Sequence, residues 1–252
     1  MLLPVRVYQL ATAESHTPNG VKVSTIGDKS EFVACLKELN LSDLRPTLVI
    51  VGGASGLDND QQVRLHSLFH SVLAPLAEEL QLYVVDGGTD AGVMRLIGQA
   101  RAAIGGTFPL IGVAPRSLVN LPNCTVEYPH ASTVEPNHTH CILVPGEKWG
   151  DESTWLAEVA TQLSGANESM TLLINGGSVT WKDAYASVGV GREIVIMAGS
   201  GRTADVMVDA LSGHRVEDPR MKQLLSSGLL SSVDLDHPSA ALKERLKTLL
   251  FN

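Results

Sequence analysis

The sequence predicts an α/β fold, an open parallel sheet with helices on both faces. Two observations predict it. Apolar runs of strand length recur along the chain, and they are continuous rather than alternating, as in strands buried on both faces. Each run meets a glycine or proline, and most lead on into a stretch with helical spacing, the alternation that builds βα units.

The elements follow in order. "TLVIVGGASG" (47–56) reads as a strand and a glycine turn. In the next segment, 60–80, Val63, Leu65, Leu68, Val72, Leu73, Leu76 and Leu80 fall near helical spacing. "LYVVDGGTDAG" (82–92) repeats the pattern and leads into "VMRLIGQARAAIGG". "PLIGVAP" (109–115) is a short strand ending at Pro115. Segment 116–137 holds Pro122, Pro129 and Pro136 and is too long for a simple connector, so it reads as a lid or binding loop. "HTHCILVPG" (138–146) is a strand followed by the helix "DESTWLAEVATQLSG". "MTLLINGG" (170–177) and "REIVIMAGSG" (192–201) complete the set. The whole chain, 1–252, reads as one Rossmann-like domain, with its core at 45–212 and a helical covering at 213–252, where "SAALKERLKTLL" is amphipathic.

Composition narrows the setting. The chain has 252 residues, 44% hydrophobic and 18% charged, an ordinary globular balance. Its net charge of −8 and lack of a basic patch argue against nucleic acid as a partner. A small anion needs only local positive potential. Cys35, Cys124 and Cys141 are odd in number and lack CxxC spacing, so a reducing, cytoplasmic setting is expected. The N-terminus lacks the basic start of a signal peptide, and no apolar run reaches the ~18 residues of a membrane span.

The main functional signal is repetition. Gly52-Gly53 (with Ala54), Gly87-Gly88, Gly176-Gly177 and Gly199/Gly201 each follow an expected strand. In an open parallel sheet all strand C-termini share one edge, and ligands bind there, where strand order reverses. Glycine lets backbone N–H groups approach a phosphate, and a helix N-terminus adds a positive dipole end. In "DGGTDAGVM" (86–94), Thr89 adds a hydroxyl and Gly92 opens the helix, although the loop is neither GxGxxG nor a Walker A loop. In "AGSGRTAD", Ser200 lies between two glycines, and Arg202 suits bidentate pairing with phosphate. Each loop, taken singly, also fits a tight turn that holds nothing.

Other residues carry weaker signals. His138 and His140, two apart on a strand, would share a face and form half a metal site, with Asp86, Glu135 or His130 as further ligands. Two histidines serving only hydrogen bonds is the favoured alternative, so no metal is expected. Trp149 could stack on a base or ribose. Asp151 or Ser153 could cap the following helix, in which Trp155 reads as core.

Taken together, "TLVIVGGASG", "DGGTDAGVMRLIGQA", "LIGVAP", "EPNHTHCILVPG", "WGDE", "LLINGG" and "IVIMAGSGRTADV" resemble, in the same order over about 47–210, the N-terminal domain of melastatin-type TRP channels. That domain belongs to the SLOG superfamily of Rossmann-like folds, with the Smf DNA-processing proteins and the Lonely Guy phosphoribohydrolases. The chain resembles a prokaryotic version of the LSDAT type. The resemblance implies a sensor for ADP-ribose, cyclic ADP-ribose, NAD or a related nucleotide. It implies that Gly87, Gly88, Thr89, Gly92 and Val93 cradle the ligand, that Gly199, Ser200, Gly201 and Arg202 hold a phosphate, and that Trp149 stacks. The chain departs from ADP-ribose-binding channel domains at Ser153-Thr154-Trp155-Leu156, where they carry an Arg. It also departs from the catalytic PGGxGTxxE pattern, since Val206 stands where the glutamate would be and Asp205 is one position short.

These features predict a sensing domain whose output lies in a partner, in self-assembly as a homo-oligomer, or in a fused effector. The alternative is a hydrolase of N-glycosidic bonds in nucleotides using Asp86, Asp90 or Asp205.

Overall fold

The computed structural model describes residues 6–8, 20–53, 59–121, 131–214 and 218–251. Ala54, Cys124 and His130 therefore lie outside the described residues. The strands, in chain order, are β1 (Arg6–Tyr8), β2 (Val21–Thr25), β3 (Thr47–Gly52), β4 (Tyr83–Asp86), β5 (Leu110–Pro115), β6 (Val119–Asn120), β7 (Ser132–Thr133), β8 (His140–Val144), β9 (Ser169–Ile174), β10 (Glu193–Ala198) and β11 (Leu230–Asp234). The helices are α1 (Phe32–Glu38), α2 (Asn59–Leu68), α3 (Ala74–Leu80), α4 (Gly92–Ala103), α5 (Ser153–Ser164), α6 (Ser178–Gly189), α7 (Arg202–Leu211), α8 (Pro219–Ser226) and α9 (Ser239–Leu250). A π-helical turn, Phe69–Leu73, joins α2 to α3.

One nine-stranded sheet runs β1-β2-β8-β5-β4-β3-β9-β10-β11. Among the described residues the edge pair β1–β2 alone is antiparallel, and the rest of the sheet is parallel. The Rossmann-like α/β fold expected from the continuous apolar runs is the one observed. In β3, Leu48 and Ile50 enter one apolar cluster and Val49 and Val51 the other, so a single run feeds both layers.

The helices divide by the same logic. Leu65 of α2, Leu76 of α3, Ile97 of α4 and Leu246 of α9 pack on one face. Phe32 of α1, Val159 of α5, Ala184 of α6, Met207 of α7 and Leu224 of α8 pack on the other. From β3 the chain builds outward through β4, β5 and β8; it then crosses back to β9 and builds the opposite way. Right-handed crossovers put helices on opposite faces when the direction of building reverses. The reversal point lies between β3 and β9.

The strand β11 is an addition to the sequence reading, which assigned 213–252 to helical covering. Its "LSSVD" is half polar because, among the described residues, it pairs with β10 alone and stays partly open to solvent. Segment 116–137 is tied down near its C-terminal end. Asp90 N–H donates to Thr133 O at 2.9 Å and Glu135 N–H to Gly88 O at 3.0 Å, which holds residues 133–135 against the Gly87–Gly88 turn.

Candidate functional site

The four glycine turns lie along one edge of the sheet, those after β3 and β9 at the reversal point and those after β4 and β10 on either side, and each is shaped first by packing. Gly52 pairs with Ile174 across β3 and β9, and a Cβ on it would lie 1.8 Å from the Ile174 carbonyl oxygen. Gly88 (φ +66°) faces Gly112 of β5 so closely that a Cβ on it would come within 2.7 Å of the Gly112 Cα. Gly53 donates its N–H to Ile174 O at 3.2 Å.

The turns after β9 and β10 are stitched to each other. Ser200 is fully buried: its Oγ donates to Met197 O at 2.6 Å and accepts the Asn175 N–H at 2.8 Å. Asn175 Nδ2 donates to Ser200 O at 2.8 Å. Gly177 N–H donates to Thr180 Oγ1 at 3.0 Å, and Thr203 Oγ1 donates to Gly177 O at 3.3 Å. Gly199 and Gly201 give their N–H groups to the two oxygens of Asp205, at 2.8 and 3.1 Å. The amides expected to hold a phosphate thus already hold a carboxylate. Arg202 is exposed, and its guanidinium lies over Gly177, with Nη2 3.2 Å from where a Cβ would stand.

Between β3, β4 and the starts of α4, α5 and α6 lies a cleft of about 290 Å³. Of the residues expected in a site, Gly52, Gly87, Thr89 and Trp149 line it. Val51, Met94, Leu156 and Val179 make much of its apolar wall. Trp149 is 36% exposed, so one part of the indole is open. The side chain of Val93 is instead sealed in the core beside Ile97. Asp90 pairs with Arg95 at 2.7 Å, and Gly92 borders a separate groove against α2.

The cleft also contains two carboxyls that sequence reasoning did not single out, Glu152 and Asp183, only 6% and 8% exposed. Glu152, just before α5, accepts the Gly150 N–H at 2.6 Å. Asp183, on α6, accepts the Ser153 hydroxyl at 2.6 Å. Burial raises the Glu152 pKa. Burial pushes Asp183 up to about 7; the Ser153 hydroxyl pulls the other way, while the neighbouring Glu152 charge adds to the rise. A signal for Asp183 was available: it shares a helix stripe with Thr180, Ala184 and Ser187, all buried. An acid on the buried stripe of a helix needs a reason. Neither Asp151 nor Ser153 caps α5; Asp151 accepts the Glu147 and Lys148 N–H groups instead. Trp155 packs edge-on against Phe32, with ring centroids 5.7 Å apart.

Beneath the Gly87–Gly88 turn lies a buried polar network, in which Asp86 Oδ2 has no hydrogen-bond partner among the described residues. His138 is fully buried between Asp86 and Glu135, with its ring nitrogens 2.8 Å from an oxygen of each. Burial alone would lower the His138 pKa, but Asp86 and Glu135 outweigh it and raise it to about 10. As an imidazolium, His138 donates both N–H groups. Asp86 also accepts the Gly88 N–H at 2.7 Å, so the network fixes the turn. His140 turns to different partners, Leu39 O at 3.1 Å and Thr139 Oγ1 at 2.8 Å. Among the described residues no His, Cys, Asp or Glu cluster has a geometry suited to a metal.

Comparison with known proteins gives four findings. The family described as "SLOG in TRPM, prokaryote" matches residues 45–243. Mouse transient receptor potential cation channel subfamily M member 2 is 25% identical over 199 residues, 64% of this chain and 13% of the channel. The rat channel of the same name is 24% identical over 220 residues, 72% of this chain and 14% of the channel. The chain thus spans a small part of these relatives. The X-ray structure of TM1055 superposes with a TM-score of 0.50 at 15% identity, covering 80% of this chain and 98% of that one. At that identity the likeness is one of fold.

Proposed function

The chain belongs to the prokaryotic family of the SLOG domain of TRPM proteins, and from that membership we propose that it is a ligand-sensing domain for a nucleotide or NAD-derived molecule of the ADP-ribose type. The observation that carries the reading is the cleft over the ends of β3 and β4, beside the reversal point on the sheet edge where α/β folds bind ligands, walled by apolar side chains and a half-open tryptophan. Trp149 offers a stacking face for a base or sugar. Arg202, over Gly177 on the same edge, offers charge to a phosphate. The matched channels support the ligand class by kinship alone.

We read the chain as cytoplasmic, because Cys35 and Cys141 are buried free thiols. Among the described residues no helix is long and apolar enough to cross a membrane. The output is assigned to a partner, a second copy of the chain or a fused effector, as sensing requires.

A second reading, hydrolysis of an N-glycosidic bond, has one observation in its favour: a buried carboxyl with a raised pKa in the cleft, Asp183, is suited to proton donation. The carboxylates first considered for that chemistry are otherwise engaged. Asp86 serves His138, Asp90 serves Arg95, and Asp205 serves the glycine amides. Isothermal titration with ADP-ribose, cyclic ADP-ribose and NAD, followed by chromatography of the recovered ligand, tests both readings. Binding with intact ligand is expected. No binding at millimolar concentration overturns the sensing function, and cleaved ligand favours the hydrolase.

A further inference from the structure

Resting on the nucleotide-sensing reading, we propose that the cleft gives the ligand a direction: Asp183 and Glu152 accept the hydroxyl groups of the terminal ribose of an ADP-ribose-type ligand, while the phosphates lie outside the cleft toward Gly177 and Arg202.

The cleft lining contains no Lys, Arg or His among the described residues; its ionisable groups are the two carboxyls. Both are more than nine-tenths buried. A phosphate placed among them would face like charge in a poorly solvated site. A sugar diol meets no such repulsion, because its hydroxyls donate hydrogen bonds to carboxylate oxygens. The acids are held ready for that task. Ser153 fixes one oxygen of Asp183, and the other accepts no hydrogen bond among the described residues. The Gly150 N–H fixes Glu152. Trp149 and Val179 supply flat apolar surface for the C–H face of a sugar ring.

Size points the same way. About 290 Å³ is at the lower limit of small-molecule sites and suits one sugar-sized group rather than a whole dinucleotide. The remainder of the ligand must run along the edge of the sheet. Val179, in the cleft wall, is two residues from Gly177, over which the Arg202 guanidinium lies. Arg202 therefore lies over the β9–α6 connection and Asp183 farther along α6, with the exposed Lys182 beside Trp149 O at 3.5 Å on the cleft rim, so the cations stand outside the acids and the ligand is sorted by charge.

Isothermal titration of ADP-ribose and of ADP, which lacks the terminal ribose, tests the assignment on wild type, Asp183→Ala, Asp183→Asn and Arg202→Ala. Wild type is expected to bind ADP-ribose about tenfold or more tighter than ADP, one hydrogen-bonded group's worth of discrimination. Asp183→Ala should erase most of that preference while leaving ADP affinity nearly unchanged. The isosteric Asp183→Asn should show the same loss in reduced degree, and it preserves the test if the alanine variant fails to fold. Arg202→Ala should weaken both ligands together. Equal affinity of wild type for the two ligands, or an undiminished preference in both Asp183 variants, overturns the direction and leaves the sensing function standing. Failure of wild type to bind either ligand, or NAD, overturns both.

Discussion

Asp205 Oδ1 accepts the Gly199 N–H at 2.8 Å, so the glycine turn before α7 closes on an anion supplied by its own helix. Its second oxygen takes the Gly201 N–H at 3.1 Å. The sequence offered these amides to a phosphate, and the carboxylate does a phosphate's work of satisfying the orphan donors at a helix start. Asp205→Ala should therefore lower stability by about 0.5–2 kcal/mol, the range for loss of a helix cap. Urea denaturation measures it, and a midpoint equal to wild type would show that the two hydrogen bonds carry no weight.

Gly112 makes a second, stricter demand. A Cβ on it would lie 2.4 Å from the Gly88 Cα, and the atom in the way is backbone. Gly112→Ala must push β5 from the Gly87–Gly88 turn or abandon that turn. We expect a loss of about 1–3 kcal/mol, as for overpacked cores, and weaker ligand binding, because Gly87 and Thr89 in the cleft move with Gly88. Thermal melting and the ADP-ribose titration read the two effects separately.

What the sequence disclosed follows from which interactions are local. Strands such as "LVIV" and "LLI" were legible because burial on both faces leaves an unbroken apolar run. "VKVST" and "LSSVD" were not, because β2 and β11 lie toward the margins of the sheet, where polar residues are tolerated. The glycine turns were visible, but their packing reasons were not: Gly88 needs Gly112, and Gly52 needs Ile174, far away in the chain. Glu152 and Asp183 became a pair only when α5 and α6 came together across the intervening β9. The triad of Asp86, His138 and Glu135 likewise required the end of β4 and the segment before β8 to come together, although β5 separates the two strands. The sequence offers Asp86 and Glu135 beside His138 as metal ligands, yet in the fold both carboxylates lie 2.8 Å from the nitrogens of the imidazole itself.

His138 should be a stability residue rather than a ligand-contacting one. Replacing it with alanine leaves Asp86 and Glu135 buried without their counter-charge, which should cost about 3–5 kcal/mol. Its pKa is raised on folding, so its contribution is complete below its ordinary value of 6.5 and is lost as pH rises through about 10. Wild-type stability should therefore fall from pH 7 toward 10 more steeply than that of His138→Ala. Parallel pH profiles would show that the imidazole is neutral in the folded protein.

Asp183 gives the opposite test, because removing its charge should help the fold. Burial raises its carboxyl from 3.8 to about 7, with the Glu152 charge adding to the effect against the pull of Ser153 and the Lys182 charge. An acid whose pKa rises on folding contributes stability that is complete below its unfolded value and disappears as pH climbs through its folded value. The window here runs from about 4 to about 7. Above it, the folded protein must hold a charged carboxylate beside Glu152 in the cleft. Asp183→Asn keeps an acceptor for the Ser153 hydroxyl and carries no charge at any pH. Between pH 5 and pH 8 its stability relative to wild type should shift in its favour by about 3 kcal/mol, at about 1.36 kcal/mol for each of the two pH units crossed below the folded pKa. Urea unfolding of both proteins at the two pH values measures the shift, and an unchanged difference would mean that Asp183 is ionised throughout. A stabilised variant that has also lost its preference for the sugar-bearing ligand would show that the buried acid is retained at a cost in stability, for recognition rather than for folding.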